Sequence, residues 1–161
     1  MSLTLTTKIP YSTTRSEIIA FLGRNANLVE DKHEPIHIIM DRVSGKTLDA
    51  YIEFKDVQSA VRAVDRQIEV HRDGNKGGRV GDRFVNVEVS GLEAMMRALF
   101  PKATNVVWRG MVPDVIPLDP NNPKDRYSTG FKGFINPEEL VLLVKHVQDP
   151  NRVSLSKNLP A

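Results

Sequence analysis

The chain has 161 residues, with 22 Lys and Arg against 20 Asp and Glu, no Cys, 10 Gly and 10 Pro. That length fits one ordinary domain with an extension, or two very small domains. The absence of Cys excludes a disulfide scaffold, thiol catalysis and thiolate zinc sites, and 40% apolar residues are enough to build a core.

No run of 18 apolar residues is present and residues 1–10 lack a basic start followed by an apolar stretch, so neither a membrane span nor a signal peptide is expected. An intracellular setting, nuclear or cytoplasmic, is the default expectation. Residues 1–90 carry 13 basic and 13 acidic side chains, and residues 91–161 carry 9 and 7. Neither half has the footprint of a protein that grips long tracts of phosphate, so nucleic-acid binding here needs a local patch.

Thr4-Leu5-Thr6-Thr7-Lys8-Ile9 is β-branched and stops at Pro10, the pattern of a strand. Its alternation puts Leu3 and Leu5 on one face and Thr4 and Thr6 on the other, and the Thr pair is expected on the open face of a sheet. Thr14-Arg15-Ser16-Glu17 is a capping box, followed by Ile18, Ile19, Phe21 and Leu22 at helical spacing and Gly23 as the stop.

Ile36-His37-Ile38-Ile39-Met40 reads as a second strand, residues 41–46 as a hairpin loop, and residues 47–54 as a third strand. Ala50, Ile52 and Phe54 share its inner face, and Asp49, Tyr51 and Glu53 its outer one. Asp56 caps a second helix with Val57, Ala60, Val61 and Val64 inward. Ile68-Glu69-Val70 reads as a short strand. Residues 71–83 hold four Gly, four basic and two acidic residues and read as a mobile loop. Residues 84–89 alternate strictly, with Val85, Val87 and Val89 on one side. The order is β-α-β-β-α-β over about 90 residues, which is α+β of the ferredoxin-like split βαβ type.

Residues 91–161 read as a mostly helical extension or a degenerate second unit. Ser90-Gly91-Leu92-Glu93 is a second capping box before a helix with Leu92, Met95, Met96 and Leu99 on one face. Residues 106–108 suggest a strand, 111–128 a loop and 130–135 another strand. Asn136-Pro137-Glu138-Glu139 starts a helix, with Leu140, Val141, Leu143, Val144 and Val147 as its buried face. The last dozen residues read as a tail. The expected boundary between domain and extension is at residues 90–91.

Residues 46–54 resemble the third-strand octamer of the RNA recognition motif (RRM): Ala50-Tyr51-Ile52-Glu53-Phe54 fits its second half, while Thr47, Leu48 and Asp49 depart from its basic-Gly-aromatic first half. Ile9-Pro10-Tyr11-Ser12 followed by Thr14 and Glu17 is similar to the start of the quasi-RRMs, domains of the heterogeneous nuclear ribonucleoprotein F/H type. Ser44-Gly45 and Gly81-Asp82-Arg83-Phe84-Val85-Asn86-Val87 fit the same subset, and the extension is similar to that of some fungal RRM proteins. The resemblance spans residues 3–90. It implies a non-enzymatic module that binds short single-stranded RNA through loops, with a role in mRNA processing. It points to Tyr11, the hairpin loop with Arg42 and Lys46, and Arg83 as contacts; the predicted sheet face adds Tyr51 and Phe84, and Lys8 before Pro10 completes the expected set.

Each residue has a plainer reading. Tyr11 can pack on the first helix, and Tyr51 can lie under the extension. His37 suits a half-exposed strand, Met95 and Met96 suit the core, and Trp108 suits a buried anchor or an interface. His33, His71 and His146 lack metal-ligand spacing. Gly74, Gly77 and Gly78 form no phosphate-binding signature, and no nucleophile–base constellation stands out. No cofactor or metal is expected. The competing expectation is a protein-interaction module of the same fold that uses its sheet, its helices or the extension.

Overall fold

A computed structural model describes residues 2–7, 9–72 and 78–148. The chain divides into two compact units: residues 1–40 with 46–95, and residues 41–45 with 96–161. The division runs through a helix rather than at residues 90–91, and the hairpin loop 41–45 falls in the second unit.

The first unit holds β1 (Ser2–Thr7), α1 (Arg15–Leu22), β2 (Ile36–Met40), β3 (Thr47–Phe54), α2 (Val57–Arg72), β4 (Arg79–Val80), β5 (Arg83–Phe84), β6 (Asn86–Ser90) and the start of α3 (Leu92–Leu99). Four strands form an antiparallel sheet in the order β2-β3-β1-β6. Two βαβ halves with the first-half and second-half strands interleaved give this order, which defines the ferredoxin-like sandwich.

Its core is Ile9, Ile18, Leu22, Ile36, Ala50, Ile52, Phe54, Ala60 and Val80. Fully burying an aliphatic or Phe side chain is worth roughly 1.5–3 kcal/mol, so Ile18, Ile52 and Phe54 are its anchors. The caps of α1 and α2 form as the sequence predicts, whereas α3 starts at Leu92 and so has Gly91 rather than Ser90 at its N-cap. Glu17 N–H donates to Thr14 Oγ1 (3.4 Å) and Thr14 N–H to Glu17 Oε2 (2.7 Å). Ser59 N–H donates to Asp56 Oδ1 at 2.7 Å.

Several expectations are corrected. β1 pairs so that Thr4 and Thr6 are the register partners of Ile52 and Ala50, on the core side of β3; the open-face assignment was one residue out of step. Residues 68–70 continue α2 to Arg72, a helix whose inward side is Ala60, Ala63, Val64 and Gln67 and which leaves Ile68 exposed. Val57 and Val61 of that helix are exposed. The glycine-rich segment contains the β4–β5 hairpin, with Gly81 at φ +59°, the position that type II′ hairpin turns reserve for glycine. Residues 73–77 of that expected loop lie outside the described residues. Val85 interrupts the fourth strand, separating β5 from β6.

The second unit contains the end of α3, the hairpin β7 (Val106–Arg109) and β8 (Val112–Val115), and α4 (Pro137–Gln148). Residues 130–135 form no strand, and Val112–Val115, expected as loop, takes that place. Gly110 (φ +61°) makes the two-residue turn. Phe100, Trp108 and Phe134 pack with ring centroids 5.4–5.7 Å apart, and Phe131 joins Phe134 at 5.1 Å. Trp108 is the buried anchor. The expected tail lies outside the described residues.

Candidate nucleic-acid interface

Pro10 ends β1, and the turn after it is fastened to the start of β3. Thr13 N–H and Oγ1 both donate to the Pro10 carbonyl, at 3.2 and 2.8 Å, and Thr47 Oγ1 donates to the same oxygen. Thr47 N–H donates to the Tyr11 carbonyl at 3.2 Å, and Ile9 N–H to the Leu48 carbonyl at 3.1 Å. With its backbone held from both sides, Tyr11 projects its ring outward and is 53% exposed.

Two cations stand over that ring: Lys46 Nζ at 4.5 Å and Arg83 Cζ at 5.1 Å from its centroid. Beside it, Phe84 is 44% exposed and carries Arg79 Cζ at 4.2 Å. Arg79 and Phe84 are register partners across the β4–β5 hairpin. Such cation–π contacts are worth about 0.5–1 kcal/mol when exposed. Ile9, Tyr11, Thr47, Leu48, Asp49, Arg83 and Phe84 line an open cavity of about 490 Å³. A ring, a second ring and positive charge around a cavity supply what an unpaired nucleobase and its phosphate need: a flat apolar surface and an anion partner.

Four of the seven expected contact residues therefore come together: Tyr11, Lys46, Arg83 and Phe84. Lys8 lies outside the described residues. The other two expectations are corrected. Tyr51 is 3% exposed, and its hydroxyl donates to the Ala94 carbonyl of α3 at 3.3 Å, so its ring is packed away from solvent. Arg42 sits in the second unit, where Nη1 donates to Glu139 Oε1 at 3.1 Å, Nη2 donates to the Leu99 carbonyl and Cζ lies 5.7 Å over Phe100. Both of its terminal nitrogens are spoken for.

Two neighbours of Tyr51 on that face hold each other. His37 Nε2 lies 2.6 Å from Glu53 Oε1, and Glu53 is buried. Among the described residues this part of the face presents an acidic pair and no exposed ring, so it offers little for a phosphate or a base to hold. Sequence reasoning missed Arg79 and Asp49 as parts of the cavity region. The signal for Arg79 was the two-residue spacer Gly81-Asp82, which pairs 79 with 84; reading the segment as a loop hid it.

Among the described residues no group of three or more His, Asp or Glu could hold a metal ion, and no helix is long and apolar enough to cross a membrane.

The strand order defines a ferredoxin-like split βαβ domain that carries a loop-borne aromatic–cation cluster. Residues 2–110 match the model of DUF8400, a domain of unknown function, and the chain belongs to that family. Among solved structures, the chain is similar to the Glorund qRRM2 domain, at 24% identity over 60% of this chain and 97% of that one with a TM-score of 0.48. It is also similar to G-rich RNA sequence binding factor 1 from Homo sapiens, at 25% identity over 64% of this chain and 96% of that one, TM-score 0.42. The Rna15 RRM with bound RNA (GU) follows at 22% identity over 55% and 81%, TM-score 0.39. No curated protein matches the sequence.

Proposed function

We propose that this protein is a non-catalytic RNA-binding module of quasi-RRM type, with residues 1–90 as the binding domain, and that it takes short single-stranded RNA in the cavity beside Tyr11. The observation that carries this reading is the half-exposed Tyr11 ring with Lys46 and Arg83 over it on an open cavity. In this reading a base enters beside Tyr11 or on the free plane of the Arg83 guanidinium, Phe84 and Arg79 hold its neighbour, and the cations face the backbone. Loops do the binding because Tyr51 is packed under Ala94. A role in mRNA processing belongs to the same proposal.

The test is binding of a random pool of short RNAs to the full chain at low salt, measured by fluorescence anisotropy. Tyr11→Ala should weaken binding by 1–3 kcal/mol, roughly 5- to 150-fold, the range for loss of one base stack. Absence of binding by the parent protein, or equal binding by Tyr11→Ala, overturns the proposal.

A further inference from the structure

Helix α4 buries an ion pair and exposes a stripe of aliphatic residues. Its inward positions carry Glu139, which is 5% exposed, together with half-buried Leu142, Leu143 and His146. Glu139 receives Arg42 at 3.1 Å and the Asn136 N–H at 3.0 Å, and His146 Nε2 donates to the Arg42 carbonyl at 3.0 Å. The outward positions carry Leu140, Val141, Val144 and Val147, all exposed, with Val147 at 79%. A helix at the surface of a folded unit normally keeps its outward face polar. The sequence alone assigned these apolar residues to the core; here they form one stripe at i, i+1, i+4 and i+7, facing solvent.

The charges beside the stripe say what fits it. Glu138 and Lys145 are both exposed. They are seven residues apart, two helical turns, and therefore lie on the same flank, next to Val141. When two copies of one helix pack antiparallel across a dyad, each flank meets the same flank of the other copy in reverse. Glu138 of each copy then stands opposite Lys145 of the other, the apolar stripes meet between them, and the helix dipoles oppose. In a parallel pair each flank meets the opposite flank of the partner, so Glu138 and Lys145 would not face each other.

We propose that α4 is a self-association surface through which two copies of this chain pair antiparallel. Four apolar side chains per copy make a contact smaller than a standard interface of roughly 1,600 Å², so the dimer is a weak one, half-formed at tens of micromolar, on the order of 10⁻⁵ M. The proposal is independent of RNA binding.

The experiment is sedimentation equilibrium of the full chain from about 1 μM to about 1 mM, with circular dichroism to confirm folding. The parent protein should rise from the monomer mass toward twice that value. Val144→Glu, at an exposed position, should stay monomeric throughout. Glu138→Lys alone and Lys145→Glu alone should each weaken self-association at least tenfold, because each homodimer then carries like charges across the dyad. An equimolar mixture of the two variants should associate at least as well as the parent, since both contacts are again of opposite sign. A parent that stays monomeric over the whole range overturns the proposal, as does a Val144→Glu variant that pairs like the parent. A mixture no better than its single components excludes the antiparallel self-pairing and leaves the stripe to a different partner.

Discussion

Two tyrosines of the first unit have opposite fates. Tyr11 and Tyr51 lie on either side of the same strand junction, and each is a plausible stacking ring by sequence. Tyr51 is closed in, with its hydroxyl on the Ala94 carbonyl, while Tyr11 is presented to solvent on a turn held by Thr13 and Thr47. Two arginines repeat the contrast: Arg42 is bound to Glu139 and Leu99, and Arg83 stands over an exposed ring. The lesson is that residue type proposes a role and packing assigns it. A ring or guanidinium serves a ligand when the fold fixes its backbone and leaves its face uncovered.

The largest expected effect comes from the buried arginine. Arg42→Ala leaves Glu139 buried without its ionic partner, and removing one member of a buried pair costs about 3–5 kcal/mol. Urea titration followed by Trp108 fluorescence reads the second unit directly. Arg83→Ala, by contrast, should shift stability by no more than about 0.5 kcal/mol. Equal effects from the two substitutions would erase the distinction drawn between them.

The tyrosines give the next test. Tyr51→Ala removes a buried ring and should destabilise by about 3–4 kcal/mol, within the range for large aromatic truncations. Folded Tyr51→Ala protein should keep its RNA affinity within about twofold, under 0.5 kcal/mol. Tyr11→Ala should do the reverse, leaving the melting curve in place and losing RNA. If Tyr51→Ala were the variant that loses binding while still folded, the sheet face would be the interface.

The split between what was and was not legible in the sequence follows from range. Local patterns sufficed for Ile36–Met40, Thr47–Phe54 and Arg15–Leu22, because strand alternation and the Thr14–Glu17 box act within a few residues. Tyr11 and Arg83 came forward through the resemblance of Ile9-Pro10-Tyr11-Ser12 and Gly81 to Val87 to the quasi-RRMs, not through periodicity. The fate of Tyr51 depended on Ala94, 43 residues on, and that of Arg42 on Glu139, 97 residues on; no local pattern carries either. Apolar spacing on α4 marked a stripe without its direction, since buried Glu139 and half-buried His146 are held by contacts to the hairpin loop. The face of β1 failed by a single register step, which periodicity of two cannot detect without the partner strand.

A smaller effect separates charge from stacking within the cavity. Arg83→Ala should reduce the slope of log K against log salt by about 0.7 if the guanidinium neutralises one phosphate of a single strand. Tyr11→Ala should lower affinity at every salt concentration with the slope unchanged. Anisotropy titrations at four salt concentrations suffice, and a salt slope that moves with Tyr11→Ala would mean the ring acts by orienting Lys46 and Arg83 rather than by stacking.

The smallest effect concerns how the first unit responds to acid. Asp56 accepts from the Ser59 backbone N–H and hydroxyl at the start of α2, with Asn27 Nδ2 at 3.0 Å. The Ser59 backbone bond, then its hydroxyl, holds the Asp56 carboxyl below its ordinary value. Because the folded-state pKa is depressed, the cap's contribution is fully present above the unfolded value of about 3.9 and is lost as pH falls through the folded value. Asp56→Asn keeps an acceptor for the Ser59 N–H, since Asn is an equally good cap, but has no proton to take up. The variant should therefore match the parent closely near neutral pH and lose less stability than the parent between about pH 4 and pH 2. Asp41 is held low in the same sense, first by the Ser44 hydroxyl, but it belongs to the hairpin loop of the second unit. Asp56→Asn should consequently flatten the acid limb only for α2, read as amide exchange at Ala60 and its neighbours, and leave the loop at residues 41–45 as acid-sensitive as before. An acid limb in α2 identical to the parent's would show that Asp56 caps the helix without coupling it to pH.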